Sequence, residues 1–262
     1  MIIVLASASG SPGVSTSVTG LALAWPRPVL VVEADPTGAS AMLTGYMQQY
    51  APQGIPGLMD LAVQHSQTGQ LPDLMATSVQ VPNSQIRLIS GIRNHRHSAS
   101  IHALWAPFLD ALQTMSQAGV DILIDLGRLG LAGTPTRVID AADLVLLTTR
   151  STIPALVPAN NWARDLEQRL GRDSGRLGLL VIAPGRPEST TSIEKALKLP
   201  VVATLPMDPT AAEVFSNGAK PERRFERSPL YRSLPPAVGA IQTHCRNAQR
   251  MLLGEEEGDI QP

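Results

Sequence analysis

Ile2 to Ser17, IIVLASASGSPGVSTS, runs from an apolar stretch into a turn of glycine, serine and proline, and then into residues that open a helix. A short apolar run bounded by turn residues reads as a buried strand. The turn that follows is where a phosphate-binding loop would sit, because backbone N–H groups and a helix N-terminus together favour an anion. In the common pattern, G-x-x-x-x-G-K-[ST], a lysine reaches the outer phosphates and a hydroxyl holds Mg2+. Laid over this chain, Gly10 opens the pattern, Ser15 takes the second glycine, Thr16 takes the lysine and Ser17 keeps the hydroxyl. The loop is recognisable without its lysine.

Composition narrows the setting. With 262 residues and 44% hydrophobic content the chain can bury a full core, and it is read as one domain over residues 1–253 with an acidic, disordered tail over 254–262. A formal net charge of -1 supplies no global field toward nucleic acid or membrane. The single cysteine, Cys245, excludes an internal disulfide framework. No basic segment precedes a long apolar run, and no apolar run approaches the ~20 residues of a membrane helix, so a soluble cytoplasmic protein without a secretory signal is expected. Of the 21 lysines and arginines only Lys195, Lys198 and Lys220 are lysines, so none in the first 194 residues replaces the missing one.

The order of elements points to a doubly wound α/β fold with a mostly parallel sheet flanked by helices. A helix is predicted over Val14 to Trp25, stopped at Pro26, and Pro28 to Val32 reads as a second buried strand ending in Glu33-Ala34-Asp35-Pro36. Further strands are predicted at Ile86–Gly91, Asp121–Asp125, Leu144–Arg150, Leu177–Ile182 and Leu199–Leu205. Helices are predicted beginning near Gly57 and over about 101–116, 154–170 and 228–253. In such sheets ligands sit outside the carboxyl ends of strands. Asp35 and Asp125 are acids at such ends, and Asp125 precedes Leu126-Gly127-Arg128 as a Walker B carboxylate would.

Here a resemblance becomes specific. SGSPGVSTSVTGLALAWPRPVLVVEADPTGAS, Ser9 to Ser40, resembles the deviant Walker A loop and following strand of the MinD/ParA family of partition and positioning ATPases, which read K-G-G-V-G-K-T-T and then D-x-D-P. In this match Ser11 stands where the family's signature lysine lies and Thr16 where its P-loop lysine lies. Asp35 stands at the water-orienting aspartate, and Glu33 keeps an acid at the first one. The resemblance covers nearly the whole chain and implies P-loop NTPase architecture with ATP and Mg2+ as cofactors. It implies nucleotide contacts from Gly10, Ser11, Pro12, Gly13, Val14, Ser15, Thr16 and Ser17, catalysis by Asp35 and Asp125, and metal ligation by Ser17 and Asp125. Leu199 to Asp208 is similar to the last strand and base-side loop, adding Pro206 and Asp208. Where the family often places an adenine-reading asparagine, this chain has Ala183 or Pro184.

The departures set the functional expectation. A charged hydrogen bond to phosphate contributes roughly 1.5 to 3 kcal/mol, so losing the lysine weakens ATP binding by about tenfold to a hundredfold. Hydrolysis suffers more, since positive charge acts chiefly on the transition state. Arg128, just past the Walker B acid, could supply charge, although a surface arginine is the simpler reading. The expectation is a positioning, partition or assembly factor with a degenerate ATP site, working as a homodimer with a protein partner. The alternatives are a slow Mg-dependent ATPase in DNA partition and a nucleotide-free adaptor of a pilus, secretion or conjugation machine. Lys220, Arg223, Arg224 and Arg227 are the candidate nonspecific DNA contacts. The acidic C-terminal end argues against a membrane-binding helix. Arg93-Asn94-His95-Arg96-His97 fits no standard zinc spacing and reads as a solvated loop.

Overall fold

Among the described residues, eight strands form one sheet in the order β3-β4-β2-β5-β1-β6-β7-β8. They are β1 (Ile2–Ser7), β2 (Val29–Glu33), β3 (Val79–Gln80), β4 (Ile86–Ile89), β5 (Asp121–Arg128), β6 (Leu144–Arg150), β7 (Leu177–Ile182) and β8 (Val201–Leu205). The computed structural model describes residues 1–38, 40–48, 55–185 and 187–253, so the predicted disordered tail lies outside the described residues. Every strand pair is parallel except the short edge pair β3–β4. Parallel strands covered on both faces need apolar side chains on both. β1 meets that need: Ile2, Val4 and Ala6 enter one core cluster, while Ile3 and Leu5 enter the other.

The first face is covered by α2 (Leu58–Thr68), α4 (Trp105–Gln117), α5 (Arg137–Ala141), α6 (Ile153–Leu170) and α7 (Thr190–Leu197). Leu61, Phe108, Val138, Ala159 and Ile193 bring them into one cluster. The second is covered by α1 (Val14–Leu23), α8 (Pro209–Asn217) and α9 (Pro229–Leu253), with Leu21, Phe215, Ile241 and Cys245 in its core. Cys245 is buried, and desolvation pushes its thiol up to about 12, which makes it a packing residue and not a nucleophile. The one-turn helix α3 (Leu74–Thr77) leads into β3.

Boundaries shift modestly from the sequence reading. The helix expected over Val14 to Trp25 ends at Leu23, because Pro26 lies close downstream and Trp25 turns back to donate its indole N–H to buried Asp121 at 2.8 Å. Arg27 completes that contact at 2.7 Å. This buried carboxylate anchors the end of the sheet opposite the phosphate-type loop. Residues 101–104, expected to begin a helix, form a 3-10 turn before α4 starts at Trp105. Among the described residues, no helix is long and apolar enough to cross a membrane.

Candidate nucleotide site

The loop between β1 and α1 emerges at the centre of the sheet, between the carboxyl ends of β5 and β6. Gly10 and Gly13 hold φ of 61° and 110°, in the left-handed region, and a Cβ on either would meet open space. The crest of the loop is therefore clear, as close approach by a ligand requires. Val14, Ser15, Thr16 and Ser17 form the first turn of α1, and Ser17 N–H donates to the Gly13 carbonyl at 2.8 Å.

Two cavities meet this loop. One, about 460 Å³, is bounded by the loop with Asp35, Thr37, Gly127 and Arg128. The other, about 300 Å³, lies on the opposite side of the loop, where Thr16, Ser17 and Arg150 face Ile182, Pro206 and Met207. The second is the more apolar of the two; after the resemblance drawn from the sequence they are called the phosphate-side and base-side cavities.

Of the residues picked from sequence, the loop from Gly10 to Thr16 and Asp35 border the first cavity, while Ser11, Pro12, Gly13, Thr16, Ser17, Pro206 and Asp208 border the second. Asp125 borders neither. It is 3% exposed; the Ser15 hydroxyl and the Gly127 N–H, at 2.9 Å, donate to its carboxylate. Burial, with Asp35 as a second cause, pushes its pKa up to about 6 and so makes it a weaker acid. The hydroxyl on this carboxylate is thus Ser15's, at the position of the motif's second glycine. Asp35 packs against Gly127, where a Cβ would strike its carboxylate, and its Oδ1 accepts the Thr37 N–H at 2.8 Å.

Glu33 is as deeply buried as Asp125 and accepts one more hydrogen bond. Ser40 Oγ and the backbone N–H groups of Met42 (2.7 Å) and Gly91 (3.3 Å) donate to it. Burial outweighs these bonds and pushes its carboxyl up to about 7. Asp208 is occupied as the N-cap of α8: its oxygens accept the N–H groups of Ala211 at 3.2 Å and Leu230 at 3.4 Å. Its part at the base-side cavity is to fix α8 against α9.

Ala183 follows β7 with φ of 57°, a conformation asparagine and glycine enter far more readily than alanine. Its N–H donates to Leu205 O at 2.8 Å, and its carbonyl accepts the Ser151 hydroxyl at 2.6 Å. Sequence reasoning missed Arg150. The residue ends a buried strand, and only the order β5-β1-β6 places it over the loop, where its Nη2 donates to Ser11 O at 3.2 Å.

The basic candidates Lys220, Arg223, Arg224 and Arg227 are all exposed. Lys220 and Arg223 line a separate cavity of about 790 Å³ together with Glu222, Glu226 and the aromatic rings of Phe225 and Tyr231, so the charge there is mixed.

An open glycine loop between the central strand and α1, with Asp35 just past β2 and Asp125 buried within β5, places the chain among proteins of P-loop NTPase architecture. The architecture is more particularly that of MinD and ParA ATPases. The chain is similar to the cell division ATPase MinD of Pyrococcus furiosus, with a TM-score of 0.70 and 20% identity over 92% of this chain and 98% of that one. It is similar to a ParA family ATPase from Chlorobium tepidum TLS, at 0.69 and 17% over 90% and 98%. The septum site-determining protein MinD of Pyrococcus horikoshii, solved with Mg-ADP, superposes at 0.64 with 18% identity over 98% and 99%. No protein-family model matches the chain, and no curated protein matches it in sequence.

Proposed function

We propose that the chain is a positioning, partition or assembly factor of MinD/ParA type whose nucleotide site binds Mg-ATP weakly and turns it over slowly or not at all. The observation that carries this reading is the combination at one loop of an open glycine cradle, from Gly10 and Gly13, with Ser11 and Thr16 at both lysine positions. Carboxylate and hydroxyl oxygens suit Mg2+; Ser17, at the loop, would hold it directly and Asp125, which borders neither cavity and is engaged by Ser15 and Gly127, would act only through water. The metal would supply charge to the phosphates. The relative solved with Mg-ADP supports the choice of ligand. Homodimerisation, a protein cargo, nonspecific DNA contacts through Lys220, Arg223, Arg224 and Arg227, and a cytoplasmic location belong to the same proposal.

Thr16→Lys tests it. The variant restores the P-loop cation, so Mg-ATP affinity should rise by roughly tenfold to a hundredfold. Unchanged affinity, or rapid sustained phosphate release by the unmodified protein, would contradict the reading.

A further inference from the structure

Both strands that flank β1 end in an arginine at the level of the loop. Arg128 closes β5, in register with Ser7 at the end of β1, and Arg150 closes β6 two residues beyond Thr148, which is also in register with Ser7. β5 and β6 are two strand spacings apart, roughly 9 to 10 Å. Arg128 lines the phosphate-side cavity with Asp35, and Arg150 lines the base-side cavity with Asp208. Among the described residues neither arginine is paired with a carboxylate, whereas Arg27, Arg169 and Arg172 are. Asp208 is engaged by backbone N–H groups and Asp35 by Thr37. Two exposed cations therefore bracket an anion cradle that has lost its lysines.

We propose that Arg128 and Arg150 form a split clamp that grips a polyphosphate from both sides of the loop and replaces the charge missing at Ser11 and Thr16. This rests on the nucleotide-site reading above and adds the residues that make binding selective for phosphate chains. A guanidinium offers a planar fork of donors to phosphate oxygens, so each arginine can make paired hydrogen bonds where a lysine makes point contacts. Arg150 is already fastened to the crest of the loop through Ser11 O, which limits the freedom it loses on binding. The clamp also explains why a loop without lysine keeps an open cradle: the ligand's charge is met from neighbouring strands.

The test is calorimetric titration with Mg-ATP and, separately, with inorganic tripolyphosphate, on the unmodified protein, Arg128→Ala, Arg150→Ala, the double variant and the corresponding lysine variants. Each alanine should weaken both probes by roughly tenfold to a hundredfold, and the salt dependence of binding should fall. Lysine should restore part of the loss, which a purely structural role would not predict. Unmodified melting temperatures keep a binding loss from being read as unfolding. Binding of Mg-ATP unchanged by the alanines would overturn the clamp and leave the nucleotide reading intact. Arginine-dependent binding of tripolyphosphate without any of Mg-ATP would support the clamp and overturn the nucleotide reading. Binding of neither probe would overturn both.

Discussion

Ala183 holds a left-handed backbone position just past the end of β7, where the MinD/ParA pattern often has asparagine. An alanine there costs about 1 kcal/mol or more relative to a residue that enters this region readily. Ala183→Asn should therefore raise stability by roughly 1 kcal/mol, read as a higher urea midpoint with an unchanged slope; a lower midpoint would mean that the position needs the small side chain. Glu33 makes a second prediction at this scale. Its carboxyl is raised from 4.5 to about 7 by burial, so folding takes up a proton between those values. The stability this contributes is fully present below about pH 4.5 and is lost as pH rises through about 7. Asp125, whose charge also raises the Glu33 carboxyl, adds to the effect because its own carboxyl is raised to about 6. Thermal melts across pH 4.5 to 7.5 should show this decline, and Glu33→Gln should flatten it; an equal slope in the variant would assign the decline elsewhere.

Glu33 also links elements. Ser40 and Met42 bind it just before and within a π-helical turn, Met42–Tyr46, whose other side sits on the end of α8. Gly45 faces Ser216 so closely that a Cβ would collide with the Ser216 carbonyl oxygen. The turn thus joins the acid at the tip of β2 to the helix that borders the base-side compartment. Gly45→Ala should push the turn off α8, lower the melting temperature by several degrees and loosen nucleotide binding together with it. An unaltered melt would show that the two elements are not held in register there.

The elements most legible in the sequence were the buried strands. Leu144–Arg150 and Leu177–Ile182 are apolar runs whose bounds the fold reproduces, because a parallel strand covered on both faces has little choice of residue. Less visible were pieces whose stability comes from tertiary contact. The two-residue β3 and the π-helical turn carry no periodicity of their own. α8 did carry signals that sequence reasoning passed over: Asp208 as N-cap, Pro209 in the first turn and Gly218 just past the end.

For the whole molecule, the phosphate-type loop and Asp35 just past β2 are local features and could be read directly, whereas the strand expected to end at Asp125 runs on to Arg128, and neither the burial of Asp125 nor the hydroxyl of Ser15 upon it could be read. Nor could the bracketing arginines, since Arg128 and Arg150 meet one loop only through a sheet order in which β1 lies between β5 and β6. The molecule that results has the architecture of MinD and ParA ATPases, with Ser11 and Thr16 at the two lysine positions of its central loop. One titration of the purified protein with Mg-ATP, followed by calorimetry, tests that account most directly. Saturable binding in the micromolar range or weaker, without the heat of continuing hydrolysis, is the predicted result. No binding heat at millimolar Mg-ATP would contradict it, as would steady heat from rapid turnover.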